Sequence, residues 1–205
     1  MKVLMINGSS NENGCTFMAL SEIAETLRLQ NIDSEIIQLG KAAYRDCIAC
    51  MGCRKKGNSR CVFDDDLVNR IIEKAETSDG FVFGSPVYYA HPSGRLLSVL
   101  DRAFYAGSQA FRFKPGAAVV SARRAGTTAA LDVINKYFGI NQMPVVTSSY
   151  WNMVHGKTPE EVRQDKEGLQ TMRNLAKAMA QLLREKAPAE GAYEYGTMTN
   201  FIREI

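Results

Sequence analysis

The sequence predicts an α/β domain whose five-stranded parallel sheet is covered by helices on both faces. Short apolar runs alternate along the chain with longer segments whose apolar residues recur at helical spacing. One run, Phe81–Gly84, is apolar throughout, as a strand buried on both sides must be. No internal repeat or low-complexity segment interrupts the pattern.

In order, Lys2–Ile6 reads as the first strand and Thr16–Gln30 as a helix with Ala19, Leu20, Ile23 and Leu27 inward. Ser34–Leu39 is the second strand, followed by a cysteine-rich loop. Asp64 is placed to cap the next helix, with Asp65 and Asp66 in its first turn and Leu67, Ile71, Ile72 and Ala75 inward. Phe81–Gly84 is the third strand, Ser93–Phe104 a helix and Ala117–Val120 the fourth strand. Thr128–Phe138 is a helix with Gly139 suited to its C′ position, and Val145–Thr147 is the fifth strand. Thr158-Pro159-Glu160-Glu161 opens a last helix running to about Lys186. Residues 1–186 thus form one domain with a cysteine-rich insert at 45–63, and 187–205 a tail whose Tyr193, Tyr195 and Phe201 dock on this or a second subunit.

The 205 residues are 45% hydrophobic and 23% charged, which excludes a mainly disordered chain. The net charge of +3, from 25 basic and 22 acidic residues, is too mild and too dispersed to mark a nucleic-acid binder. No apolar run approaches the roughly 20 residues of a membrane span, and the N-terminal apolar stretch is too short for a signal peptide. A cytoplasmic location with reduced thiols is expected. The five cysteines agree, being odd in number with four of them between Cys47 and Cys61.

In a doubly wound sheet the ligand lies at the carboxyl ends of the strands, which singles out three loops. The first, Gly8-Ser9-Ser10-Asn11-Glu12-Asn13-Gly14-Cys15-Thr16, brings helix N–H groups and hydroxyls to one place and suits a phosphate held by neutral donors. It lacks both Gly-Lys-Ser/Thr and Gly-x-Gly-x-x-Gly. A phosphatase Cys-x5-Arg is also missing, and Gly84-Ser85 stands where a receiver domain needs its Asp. The second loop, Gly84 to Gly94, offers Val87, Tyr88 and Tyr89 as flat apolar surface. The third carries Arg123 and Arg124, which suit an anion or a subunit interface equally. His91 and His155 are read as having no ligand role.

The sharpest local signal is Cys47-x2-Cys50-x2-Cys53-x7-Cys61. Four thiolates on a compact loop suit an iron–sulfur cluster better than zinc, although packed or redox-labile thiols remain an alternative. Arg54, Lys55, Lys56 and Arg60 surround them, as a counter-charge, a docking patch for an acidic partner, or a solvated loop.

Together, the loop Gly8 to Thr16, the run Ser85-Pro86-Val87-Tyr88-Tyr89 with Leu100-Asp101-Arg102 after it, and the cysteine segment resemble the NADPH-dependent FMN reductase family of flavodoxin-like proteins. Within that family they are most similar to the iron–sulfur flavoprotein branch, over about residues 1–180. The resemblance implies FMN, with Ser9, Asn11, Cys15 and Thr16 at the phosphate, Pro86, Val87, Tyr88 and Tyr89 along the ring, and Ser121, Arg123 and Arg124 at its far edge. Cys15 stands where the family often has Asn, and a thiol is the weaker donor. The resemblance further implies an FMN-dependent oxidoreductase that takes hydride from NAD(P)H and passes electrons to a quinone, nitro or azo compound, flavin or protein. No catalytic acid or base is expected. The alternative is an electron carrier taking electrons from a ferredoxin-like protein through a [4Fe–4S] cluster on Cys47, Cys50, Cys53 and Cys61. A homodimer or homotetramer is implied in either case.

Overall fold

A computed structural model describes residues 1–185. The elements in chain order are β1 (Lys2–Asn7), α1 (Cys15–Leu29), β2 (Asp33–Gln38), α2 (Gly52–Lys56), α3 (Val68–Glu76), β3 (Gly80–Tyr88), β4 (His91–Pro92), α4 (Gly94–Phe111), β5 (Gly116–Ala122), α5 (Thr127–Ile140), β6 (Met153–His155), α6 (Pro159–Gln164) and α7 (Lys166–Arg184). Five strands pair in parallel in the order β2-β1-β3-β5-β6. The short β4 turns back antiparallel on the end of β3.

The two-residue period of a strand sends alternate side chains into two separate layers. Leu4, Ile6, Phe81, Phe83, Ala118 and Val120 pack with α3, α4 and α5. Val3, Met5, Val82, Ala117 and Val119 pack with α1 and α7. The flavodoxin-like α/β architecture expected from the sequence is therefore the one observed.

Several element boundaries differ, each for a visible reason. The expected strand Val145–Thr147 makes a single bridge from Val145 to Gly116. Pro144 has no N–H to offer the ladder, and the fifth strand is instead Met153–His155, paired with Val120 to Ala122. Asp64 does not cap α3. Its carboxylate accepts from Asn69 Nδ2 at 2.9 Å and Arg60 Nη2 at 3.3 Å, while Asp66 accepts from Val68 N at 3.0 Å. Gly139 lies inside α5. The left-handed C′ residue is Gln142 (φ 56°), with Met143 N donating to Phe138 O at 3.0 Å and Gln142 N to Gly139 O at 3.3 Å. Arg112 Nε holds the Gln142 side chain at 2.6 Å, which fixes a residue that is not glycine there.

The last predicted helix is two. Thr158 caps α6, accepting from Glu161 N at 3.3 Å, with Pro159 in its first turn. Asp165 then caps α7, accepting from Gly168 N at 2.9 Å. A Cβ on Gly168 would lie 2.2 Å from the Asp165 carboxylate, so glycine is needed where the cap closes. The end of the expected helix at Lys186 and the tail from 187 to 205, with Tyr193, Tyr195 and Phe201, lie outside the described residues.

Candidate functional site

The loops after β1, β3 and β5 meet at the carboxyl rim through direct bonds. Gly8 N donates to Gly84 O at 2.8 Å, and Ser93 Oγ donates to Gly8 O at 2.8 Å. Thr16 and Ser121, 1% and 4% exposed, share a hydroxyl–hydroxyl bond of 2.8 Å that joins the first loop to the third. Gly126 (φ 90°) brings the third loop against the second, because a Cβ there would sit 2.8 Å from Ala90 Cα. Asn7 Oδ1 accepts from Ser9 N at 3.1 Å, and Gln38 Nε2 donates to Ser9 O at 2.7 Å, bracing the first loop from two strands.

The first loop ends at α1, whose N-cap Gly14 supplies no side chain to the N–H groups of the first turn. Those donors are left for an anion. Beside them lies an open depression of about 680 Å³, lined by Ser10 to Gly14, Gln38, Gly40, Lys41 and Pro159. Among the predicted phosphate residues, Asn11 is exposed and borders this depression. Ser9 is buried, and its Oγ accepts from Asn11 N at 3.1 Å. Cys15 places its Sγ 3.5 Å from Gly156 O, and burial pushes the thiol pKa up, with Glu161 and Glu160 adding to the rise. A neutral thiol keeps negative charge away from the anion's place.

Sequence reasoning missed Gln38, Gly40, Lys41 and Pro159. The signal for the first three is the strand order: β2 lies beside β1, so the loop that leaves β2 flanks the loop that leaves β1.

Pro86, Val87 and Tyr88 belong to the end of β3 rather than to a loop. Tyr89 and Ala90 then turn the chain into β4, both in the left-handed region (φ 51° and 62°). Two central residues at positive φ make the tight hairpin turn that usually takes Asn-Gly. Tyr89 is fully exposed (103%). Arg123 and Arg124 are exposed on the third loop, and Arg124 O lies 3.1 Å from His155 Nε2. Uncapped N–H groups with a nearby lysine at one end of the rim, and an apolar wall with aromatic residues at the other, fit FMN by donor chemistry.

The cysteine segment folds back on α4. All four of Cys47, Cys50, Cys53 and Cys61 line a single small cavity together with Val62, Phe63 and Tyr105. All are free thiols. Ala49, Met51, Gly57 and Ser59 take positive φ and curl the segment tightly around α2. A Cβ at Gly52 would lie 2.3 Å from Val62 Cγ1, so glycine lets the two arms close. Among the described residues no three His, Cys, Asp or Glu side chains are gathered tightly enough for a single ion. In a [4Fe–4S] cluster each thiolate binds a different iron, and four thiols around one cavity match that donor set, here drawn in around about 20 Å³ of free space.

Arg102, which sequence reasoning did not place among the site residues, reaches this segment from α4. It is 1% exposed, and its Nε donates to Cys61 Sγ at 3.3 Å.

Residues 1–158 match the family model described as NADPH-dependent FMN reductase. The chain is 33% identical over 193 residues to an iron–sulfur flavoprotein of Methanocaldococcus jannaschii, an alignment spanning 90% of this chain and 98% of that one. It is similar in fold to an archaeal flavodoxin (TM-score 0.61, 15% identity, 90% of this chain and 100% of that one). It is likewise similar to an NADH:FMN oxidoreductase in its apo form (TM-score 0.65, 15% identity, 90% of this chain and 91% of that one).

Proposed function

The chain belongs to the NADPH-dependent FMN reductase family, and from that premise we propose that it is an FMN flavoprotein oxidoreductase whose four clustered cysteines hold an iron–sulfur cluster. The observation that carries the reading is the meeting of Cys47, Cys50, Cys53 and Cys61 on one cavity. Its 33% identical relative, an iron–sulfur flavoprotein, supports it.

FMN supplies hydride and single-electron chemistry when bound, and the protein supplies position and electrostatics. The uncapped turn of α1 and Lys41 would receive its phosphate end. Pro86, Val87, Tyr88 and Tyr89 would border its ring, with Arg123 and Arg124 available to its polar groups. The Thr16–Ser121 bond would hold the first and third loops together around it. The electron acceptor or donor is a small molecule or a ferredoxin-like protein.

A second reading, an NAD(P)H-dependent reductase whose cysteines carry no iron, draws on the exposed setting of Tyr88 and Tyr89, which leaves approach to the rim open. Anaerobic purification separates the two. The first expects flavin bands, a broad absorbance bleached by dithionite, and iron in the preparation. Cys53→Ser should then remove the broad absorbance and leave FMN in place. Flavin bands alone, bleached by NADH or NADPH, would support the second. Colourless protein that takes up no added FMN would overturn both.

A further inference from the structure

The guanidinium of Arg102 is spent almost wholly on the cysteine segment. Nη1 donates to Arg45 O at 3.3 Å and to Asp66 Oδ2 at 2.5 Å. Nη2 donates to Phe63 O at 3.4 Å and Asp66 Oδ1 at 3.3 Å, and Nε donates to Cys61 Sγ at 3.3 Å. The Phe63 ring lies 5.1 Å from its central carbon. Arg45 stands at one end of the segment, and Cys61, Phe63 and Asp66 at the other. One buried side chain from the scaffold therefore pins both ends of the loop that carries the thiols.

We propose that Arg102 is a positioning residue of the cysteine site: while Asn69 fixes the Cys61 backbone (Cys61 N to Asn69 Oδ1 2.8 Å, Asn69 Nδ2 to Cys61 O 3.1 Å), Arg102 orients the Cys61 sulfur and, through an N–H···S bond, raises the reduction potential of an iron–sulfur cluster held there. The inference rests on the cluster reading above. Reduction adds one electron, and so one negative charge, to the cluster. A hydrogen bond from a buried cation to a ligating sulfur stabilises the reduced form more than the oxidised one. Lysine cannot reproduce the effect, because a single ammonium cannot span the sulfur, two carbonyls and a carboxylate that the planar fork serves together.

The test uses the full chain, reconstituted anaerobically with ferrous iron and sulfide. Two variants are compared with the parent. Arg102→Lys keeps the charge and loses the fork. Arg102→Gln combined with Asp66→Asn removes both charges, so no buried carboxylate is left unpaired. Iron and sulfide per chain, the cluster midpoint potential by mediated titration, and bound FMN are measured on each.

The proposal expects both variants to retain FMN within two-fold, to show a more negative cluster midpoint, and to lose iron in air several-fold faster than the parent. A midpoint and iron retention equal to the parent's in both variants would overturn it. Should the lysine variant fail to fold, the paired variant decides. If neither retains FMN, Arg102 serves folding in general and the proposal falls. A parent protein that takes up no iron and sulfide while binding FMN overturns the proposal by removing the cluster reading itself, an outcome distinct from unchanged variants.

Discussion

At the scale of single residues, backbone conformation marks the rim. Ala90 sits at φ 62° beside Tyr89 at φ 51°, with no glycine to relieve either. A left-handed residue bearing a side chain costs about 1–2 kcal/mol, and glycine returns about 0.5–1 kcal/mol of that to unfolded-state freedom. Ala90→Gly should therefore stabilise the protein by about 0.5–1 kcal/mol in urea unfolding. It should also weaken FMN binding, if the stiff hairpin serves the ring. Gly126→Ala should act the other way on stability. Its Cβ would press on Ala90 Cα at 2.8 Å from a left-handed position, and a loss of about 1–3 kcal/mol in the same assay is expected. Lys41 borders the depression at α1. Lys41→Ala should raise the FMN dissociation constant about two- to five-fold at low salt, with the gap closing at high salt. An unchanged constant would remove Lys41 from the site. The loop between β1 and α1 was legible as a candidate anion site because glycine, serine and threonine between a strand and a helix have a physical meaning by themselves. Lys41, Gln38 and Pro159 were not, because they reach the depression through strand order and a distant helix start. Thr16 and Ser121 were legible as rim residues, but their mutual bond was not, since 105 residues separate them.

At the scale of elements, the buried strands were the easiest to read and the helix junctions the hardest. Lys2–Asn7 and Gly116–Ala122 emerge from continuous apolar runs. The division of the last helix at Asp165 was hidden, because Asp165 looks like any helix-surface acid until Gly168 closes over its carboxylate. Val145–Thr147 has a strand's composition, and only the missing donor of Pro144 and the return of the chain at Met153 show why it does not extend the sheet. Elements are also tied by charge. Glu35 on β2 meets Lys2 of β1 at 2.7 Å and Lys74 of α3 at 2.6 Å. Hydrogen bonds from Lys2 and then Lys74 hold its pKa below the ordinary carboxylate value. A carboxylate whose pKa is lowered on folding stabilises the protein above its unfolded pKa, and this contribution is lost as pH falls through the folded value. Glu35→Gln should cost about 0.5–1 kcal/mol at pH 7, discounted for its partial exposure. The two proteins should converge in stability in acid, as urea titrations at a series of pH values would reveal. A cost that stays constant with pH would place the effect in packing instead.

At the scale of the whole molecule, no helix among the described residues is long and apolar enough to cross a membrane. Tyr150 and Trp151, each 59% exposed, present aromatic surface beside a cavity of about 430 Å³ under α5. We propose that the protein assembles as a homodimer or homotetramer. Light scattering should return two or four times the mass of one chain, and Trp151→Glu should shift the mass downward if this surface is the contact. A single-chain mass for the parent would end that proposal. The molecule also divides unevenly between scaffold and insert. No cysteine of the segment is among the buried core residues; Cys61 rests against the α3–α4 layer, held by Arg102 of α4 at its sulfur and by Asn69 of α3 at its backbone. Residues 45–66 are in that sense a cartridge clipped to a chassis. A relative that discards the cysteines forfeits only the edge contact of Cys61, and a chemist who grafts this stretch onto a similar scaffold must bring Arg102 and Asn69 with it.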